Sequence, residues 1–344
     1  MGEMSDLDVL TFRRMVPMLC RSSRMLPFAL MLALAGGPSA AQTVSGEDAT
    51  TAEVKDVIEV KDTKTPADAT VRAFGAFQRG YYLTAMELAL PRAQLGDPAA
   101  QTLLAELFAA GLGVPRNMDD AAFWYKQAAE SGDASAQFKY GLMLLEGRYV
   151  KADRAEAEAL MKKAADAGNA FAQFNHAQIL VSEKPGDAGI FEALPYFEKA
   201  AEQGVADAQY ALAQIYRNTD GVSDEKRARA RELMEKAARA GYDTAQLDYA
   251  IWLIDGVGGP TDYEGGFRWM QVAATRGNVV AQNRMAVLQI NAIGTNGDPV
   301  EAAKWYILSR RAGYNDRALD DFYQGLTEDE QKLAIEAANK FGKR

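Results

Sequence analysis

The phrase Gly-x-x-x-Ala-Gln recurs at Gly96, Gly132, Gly168, Gly204, Gly241 and Gly277, with spacings of 36 residues and one of 37, between Gly204 and Gly241. A seventh start follows at Gly313, where the Ala-Gln pair has decayed to Arg317-Ala318. A period of this length, held in register along most of a chain, constrains the fold more than any other feature. Each unit is then one supersecondary element that cannot bury its apolar face alone, and stacking neighbours makes the core continuous. A domain built around one closed core has no reason to keep such a register.

Each unit reads as two helices, A and B. Counted from the repeat glycine, helix A carries an alanine at +4, a large residue at +8 (Leu104, Tyr140, His176, Leu212, Tyr249, Met285) and a small one at +9. A further apolar residue follows at +12 (Phe108, Leu144, Leu180, Tyr216, Leu253). Steps of four place these side chains on one helical face. Turns such as Gly111-Leu112-Gly113-Val114-Pro115 and Gly256-Val257-Gly258-Gly259-Pro260 then end helix A, because glycine permits positive φ and proline cannot continue a helix. Helix B has a bulky residue eight before the next glycine (Trp124, Leu160, Tyr196, Leu233, Trp269, Trp305). Paired alanines lie four and three before it, from Ala128-Ala129 to Ala273-Ala274. The alanine columns let neighbouring helices approach closely while the bulky columns fill the gaps.

The Gly-Asp-x-x-Ala-Gln and Trp-Tyr-x-x-Ala-Ala phrases resemble Sel1-like repeats, relatives of the tetratricopeptide repeat, over about residues 68–325. The resemblance implies an all-α, right-handed superhelical solenoid. Residues 67–95 read as a degenerate opening helix pair with Pro91 in its second helix, and residues 67–326 as the whole solenoid. Thr327 and Glu330 form a capping box that starts a closing helix within 327–344, covering the end of the stack. The stretch Asp298 through Leu326 resembles the ends of secreted Sel1 proteins from alphaproteobacteria. The function the resemblance implies is protein–protein interaction. Periplasmic members include regulators of exopolysaccharide production that act on membrane sensor kinases, which makes an envelope-signalling adaptor the expected role.

A second stripe on helix A points to a binding surface. Positions +6 and +10 share a face and read Phe138/Leu142, Phe174/Gln178, Tyr210/Gln214, Leu247/Ile251 and Asn283/Val287. By analogy with tetratricopeptide repeats these offsets line the inner surface, where aromatic and aliphatic anchors interleaved with glutamine suit capture of a peptide or helix. The alternative is that tight winding buries the stripe between repeats.

Residues 1–41 read as a secretory signal peptide. Arg13, Arg14, Arg21 and Arg24 supply the positive region, Leu26–Leu34 a short apolar run, and Ser39 and Ala41 the small residues before cleavage at about Ala41/Gln42. Met1, Met15, Met18 and Met25 are all candidate starts. The apolar run is shorter than the roughly 20 residues that span a bilayer. The lone cysteine, Cys20, leaves with this segment, and the expected location is the periplasm or the exterior. Residues 42–66, rich in Thr, Asp, Glu, Lys and Val, read as a flexible acidic linker.

Net charge of −9 disfavours a nucleic-acid or anionic-membrane partner. One cysteine and one histidine, His176, leave no Cys-rich zinc site and no Cys–His pair in the mature chain. His176 occupies the +8 packing column, where a packed histidine with one hydrogen-bond partner is expected. No catalytic residue, cofactor or metal site is expected. The competing readings are an enzyme acting on cell-wall material and a secreted host-interaction factor; the β-lactam binding or hydrolysis described for cysteine-rich Sel1 proteins does not carry over, because their disulfide pairs are absent here.

Overall fold

The structure, a computed structural model, describes residues 66–342. The signal-peptide and linker assignments over 1–65 lie outside those residues. All regular elements among the described residues are helices: α1 (Pro66–Gln78), α2 (Tyr82–Gln94), α3 (Pro98–Ala110), α4 (Met118–Glu130), α5 (Ala134–Glu146) and α6 (Arg154–Asp166) open the series. There follow α7 (Ala170–Glu183), α8 (Asp187–Glu202), α9 (Ala206–Asn218), α10 (Asp224–Ala228), α11 (Ala230–Arg239), α12 (Asp243–Asp255) and α13 (Tyr263–Thr275). The series ends with α14 (Val279–Ile290), α15 (Pro299–Arg311), α16 (Arg317–Gln324) and α17 (Glu328–Lys340). Helices pack on their neighbours in the series, from α2 on α3 through α14 on α15, with α9 on α11 past the short α10 and α17 on α15 past the short α16, which is the expected all-α solenoid. Pro66 belongs to α1 rather than to the linker.

The repeat phrase has a physical explanation at the junction of helix B with the next helix A. The repeat glycines adopt φ between +86° and +97° from Gly96 to Gly277. A Cβ at Gly132, Gly168 or Gly204 would meet nothing within 4 Å, so backbone conformation and not crowding selects glycine there. The residue after the glycine donates its N–H to the first of the paired alanines, as Asp133 does to Ala128 O at 3.0 Å and Asn169 to Ala164 O at 3.0 Å. The second alanine's carbonyl accepts twice. Gly132 N–H reaches Ala129 O at 3.1 Å, and Gln137 Nε2 donates to the same oxygen at 3.2 Å. Gln101, Gln173, Gln209, Gln246 and Gln282 make the same bond to Ala93, Ala165, Ala201, Ala238 and Ala274 at 3.0–3.2 Å. The glutamine column thus occupies carbonyls that a helix C-terminus leaves without intrahelical partners. The next helix starts on an Asp or Asn cap in most units: Asp97, Asp133, Asn169 and Asn278 accept from the N–H of Ala100, Ala136, Ala172 and Ala281, each worth about 1 kcal/mol.

Packing follows the sequence columns. The paired alanines from Ala128-Ala129 to Ala273-Ala274 are all 5% exposed or less. Fully buried Tyr216, Phe197, Met161, Met234, Met270 and Met285 fill the space that the alanines leave. In the fourth unit, whose period is one residue longer, helix B breaks at Arg229 into α10 and α11. Arg227 staples the link before it: its guanidinium donates to Val222 O (3.2 Å), Arg217 O (3.2 Å) and Thr219 O (2.8 Å), serving the end of α9. At the far end the capping box forms between Thr327 and Glu330. Helix α17 then lies on α15, with Phe341 edge-on to Trp305 at 5.4 Å.

Candidate protein-binding face

The helix-A residues of the second stripe fall into two environments. Phe138 and Phe174 at +6 are each only 5% exposed. Phe138 stacks at 6.1 Å on Phe171, which opens the next A helix and is itself 44% exposed. Phe174 stands edge-on to Phe197 of α8 at 5.9 Å. Asn283 is buried and donates to Asp316 Oδ2 at 3.1 Å, across to the start of α16. These three side chains serve packing, as the winding alternative anticipates. Tyr210 and Leu247 at +6 are half-buried, and so is the whole +10 column: Leu142, Gln178, Gln214, Ile251 and Val287. What remains accessible is therefore the +10 column, Tyr210 and Leu247 at +6, and Phe171.

Between repeats 4 and 5, the units starting at Gly204 and Gly241, the stripe becomes a polar network. Tyr210 Oη donates to Asp248 Oδ2 at 2.9 Å, and Gln214 Nε2 donates to the same oxygen at 3.0 Å. Asn218 Nδ2 donates to Gln214 Oε1 at 3.0 Å, so a ladder at i, i+4 and i+8 runs along α9. Burial raises the Asp248 carboxyl above its usual range, and the bonds from Tyr210 and Gln214 only partly offset this. No cation among the described residues pairs with it. Burial raises the Tyr210 hydroxyl as well, and the adjoining carboxylate adds to the shift. The sequence stripe contains Tyr210 and Gln214 but not Asp248, which sits at +7. That position holds Leu103, Lys139, Asn175, Ala211 and Arg284 in the other units, so no column marks it.

His176 is 7% exposed and lies edge-on to the Tyr196 ring at 4.7 Å. Its Nδ1 has no hydrogen-bond partner. Burial, and then Lys162, lower its pKa. Among the described residues no group of three or more His, Cys, Asp or Glu could hold a metal ion. No helix among them is long and apolar enough to cross a membrane.

The Sel1 repeat matches residues 98–133, 134–169, 170–205, 206–242, 244–278 and 279–314. The chain belongs to the Sel1 repeat family, whose members typically act as scaffolds for protein–protein interaction. Among solved structures it is similar to a Sel1 repeat protein from Oxalobacter formigenes, at 27% identity and a TM-score of 0.59, over 72% of this chain and 99% of that one. It is also similar to a protective antigen of uropathogenic Escherichia coli that displays an SLR fold. There the identity is 26% and the TM-score 0.53, over 76% of this chain and 64% of the antigen. No curated protein sequence matches this one.

Proposed function

We propose that this protein is an exported interaction scaffold of the bacterial envelope that binds a segment of a partner protein across its helix-A face. The partner in this reading is a membrane sensor or another envelope protein, as in regulation of exopolysaccharide production. The observation that carries the binding role is the +10 column. Leu142, Gln178, Gln214, Ile251 and Val287 offer one half-buried side chain per repeat over five consecutive units, with Phe171 exposed alongside. Apolar anchors on either side of two amides suit a bound segment whose side chains and backbone are both recognised. Export is supported by the Arg-rich, apolar and small-residue order of residues 13–41.

Phe138 and Phe174 are poor probes of this face, since charging a buried ring disrupts the stack itself. The test is a crosslinking pull-down from the native cell with the full chain and with a Leu142→Glu/Ile251→Glu variant shown to be folded by circular dichroism. Loss of specific partners from the folded variant is the expected result. Retention of every partner would show that binding, if any, lies elsewhere. Fractionation of a tagged chain into periplasm and medium tests export separately, and a cytoplasmic unprocessed chain would overturn it.

A further inference from the structure

We infer that Asp248, framed by Tyr210 and Gln214, is the recognition point for a single lysine or arginine side chain of the segment bound on the helix-A face; the inference rests on that face being the binding surface.

The carboxylate is half-buried on α12, and both its neutral donors bond the same oxygen, Oδ2. That leaves the lone pairs of Oδ1 for a further donor. A carboxylate withdrawn from water and held by neutral groups alone is under-compensated, and a cation restores what desolvation removed. Two tyrosine rings stand close by, Tyr210 joined to the carboxylate through its hydroxyl. Tyr210 and Tyr242 lie 5.0 Å apart, and such rings attract an ammonium or guanidinium. Burial holds the proton on the Tyr242 phenol, and Asp207 and Asp248 add to it; these two carboxylates give the local potential the matching sign. Asp248 therefore differs from the paired acids of this chain, such as Glu158 with Arg154 or Glu232 with Lys236, which are neutralised internally. Retaining an unneutralised, partly buried charge is characteristic of a functional group rather than a packing one.

The probe is a displayed library of random dodecapeptides panned on the full chain, followed by anisotropy titration of fluorescein-labelled peptides made from the enriched sequences. Enriched peptides are expected to share one lysine or arginine flanked by apolar residues. Replacing that residue by norleucine, or Asp248 by Asn, should weaken binding on the order of thirtyfold or more. Both changes together should cost little beyond either alone. Asp248→Asn keeps an oxygen to accept from Tyr210 and Gln214, so the fold is preserved. Glu264→Gln, a change of equal charge at a side chain 80% exposed, should leave affinity unaltered. Equal binding by Asp248→Asn, enriched peptides without a basic residue, or an equal loss with Glu264→Gln each overturns the cation site. Binding that survives Asp248→Asn but fails in Leu142→Glu/Ile251→Glu leaves the face standing and removes only the cation site. Binding unaffected by Leu142→Glu/Ile251→Glu, or no enrichment at all, removes the face and the cation site together.

Discussion

Repeats 2 and 3, starting at Gly132 and Gly168, and repeats 4 and 5 fill equivalent helix-A positions with opposite chemistry. In the first pair the +6 residues are Phe138 and Phe174, both buried against other rings. Asp133 and Asn169 cap the helices with side-chain oxygens. In the second pair the +6 and +10 residues of α9 are Tyr210 and Gln214, turned onto the carboxylate of Asp248. Val205 and Tyr242 stand where the caps would be and make no capping bond. Both pairs keep the same glycine, glutamine and alanine junction. The junction therefore sets the architecture, and the A face is free to vary between an apolar seam and a polar one. The first solution maximises burial. The second keeps an unneutralised charge and gives up two caps.

The largest effect should come from opening the apolar seam. Phe174→Ala removes a buried ring from a junction of two helices and should cost about 3–5 kcal/mol. Urea unfolding followed by circular dichroism measures it, with hydrogen exchange in α7 and α8 as a local check because solenoids unfold by neighbouring units. A loss below about 1 kcal/mol would mean that the seam is not part of the core. Overpacking ranks next. Ala201→Leu, in the alanine column that repeats 3 and 4 share, should cost about 1–3 kcal/mol, and an unchanged melting transition would contradict the close approach of helices there.

A smaller effect separates the pairs by pH. Burial, followed by Lys162, lowers the His176 pKa below its ordinary 6.5. Its folded-state value being the lower one, the stability it permits is present above pH 6.5 and is lost as pH falls through the folded value. His176→Leu should flatten the melting temperature between about pH 7 and pH 5, whereas a profile parallel to that of the unaltered chain would show that His176 does not titrate in this window.

Much of this was legible in the sequence, and the reasons are specific. The register from Gly96 to Gly313 and the alanine columns are read directly, because each is forced by a local requirement, φ at the glycine or close approach at the alanine. The Thr327 cap is legible for the same reason. The glutamine column was visible as a pattern, but its role was not: its acceptor is a carbonyl eight residues earlier, reached only when helix B turns into helix A. The burial of Phe138 and Phe174 was also beyond the pattern. Helical spacing says which face a residue occupies, but not whether a neighbouring helix covers that face. Asp248 was missed because a single departure from a variable position leaves no periodic trace. It becomes visible only when the next repeat brings Tyr210 and Gln214 against it.

The smallest shift is the most informative, since it asks whether the polar seam serves stability or recognition. Burial, only partly offset by the bonds from Tyr210 and Gln214, raises the Asp248 pKa above its ordinary 3.8, so its contribution to stability is present at low pH and is lost as pH rises through the folded value. The direct measurement is the melting temperature of Asp248→Asn against the unaltered chain from pH 4 to pH 7. The account predicts that the variant melts at the same temperature or higher at pH 7, with its relative advantage growing as pH rises. A variant that melts several degrees lower at pH 7 would mean that the carboxylate holds the repeats together, and the assignment of this seam to recognition would be wrong.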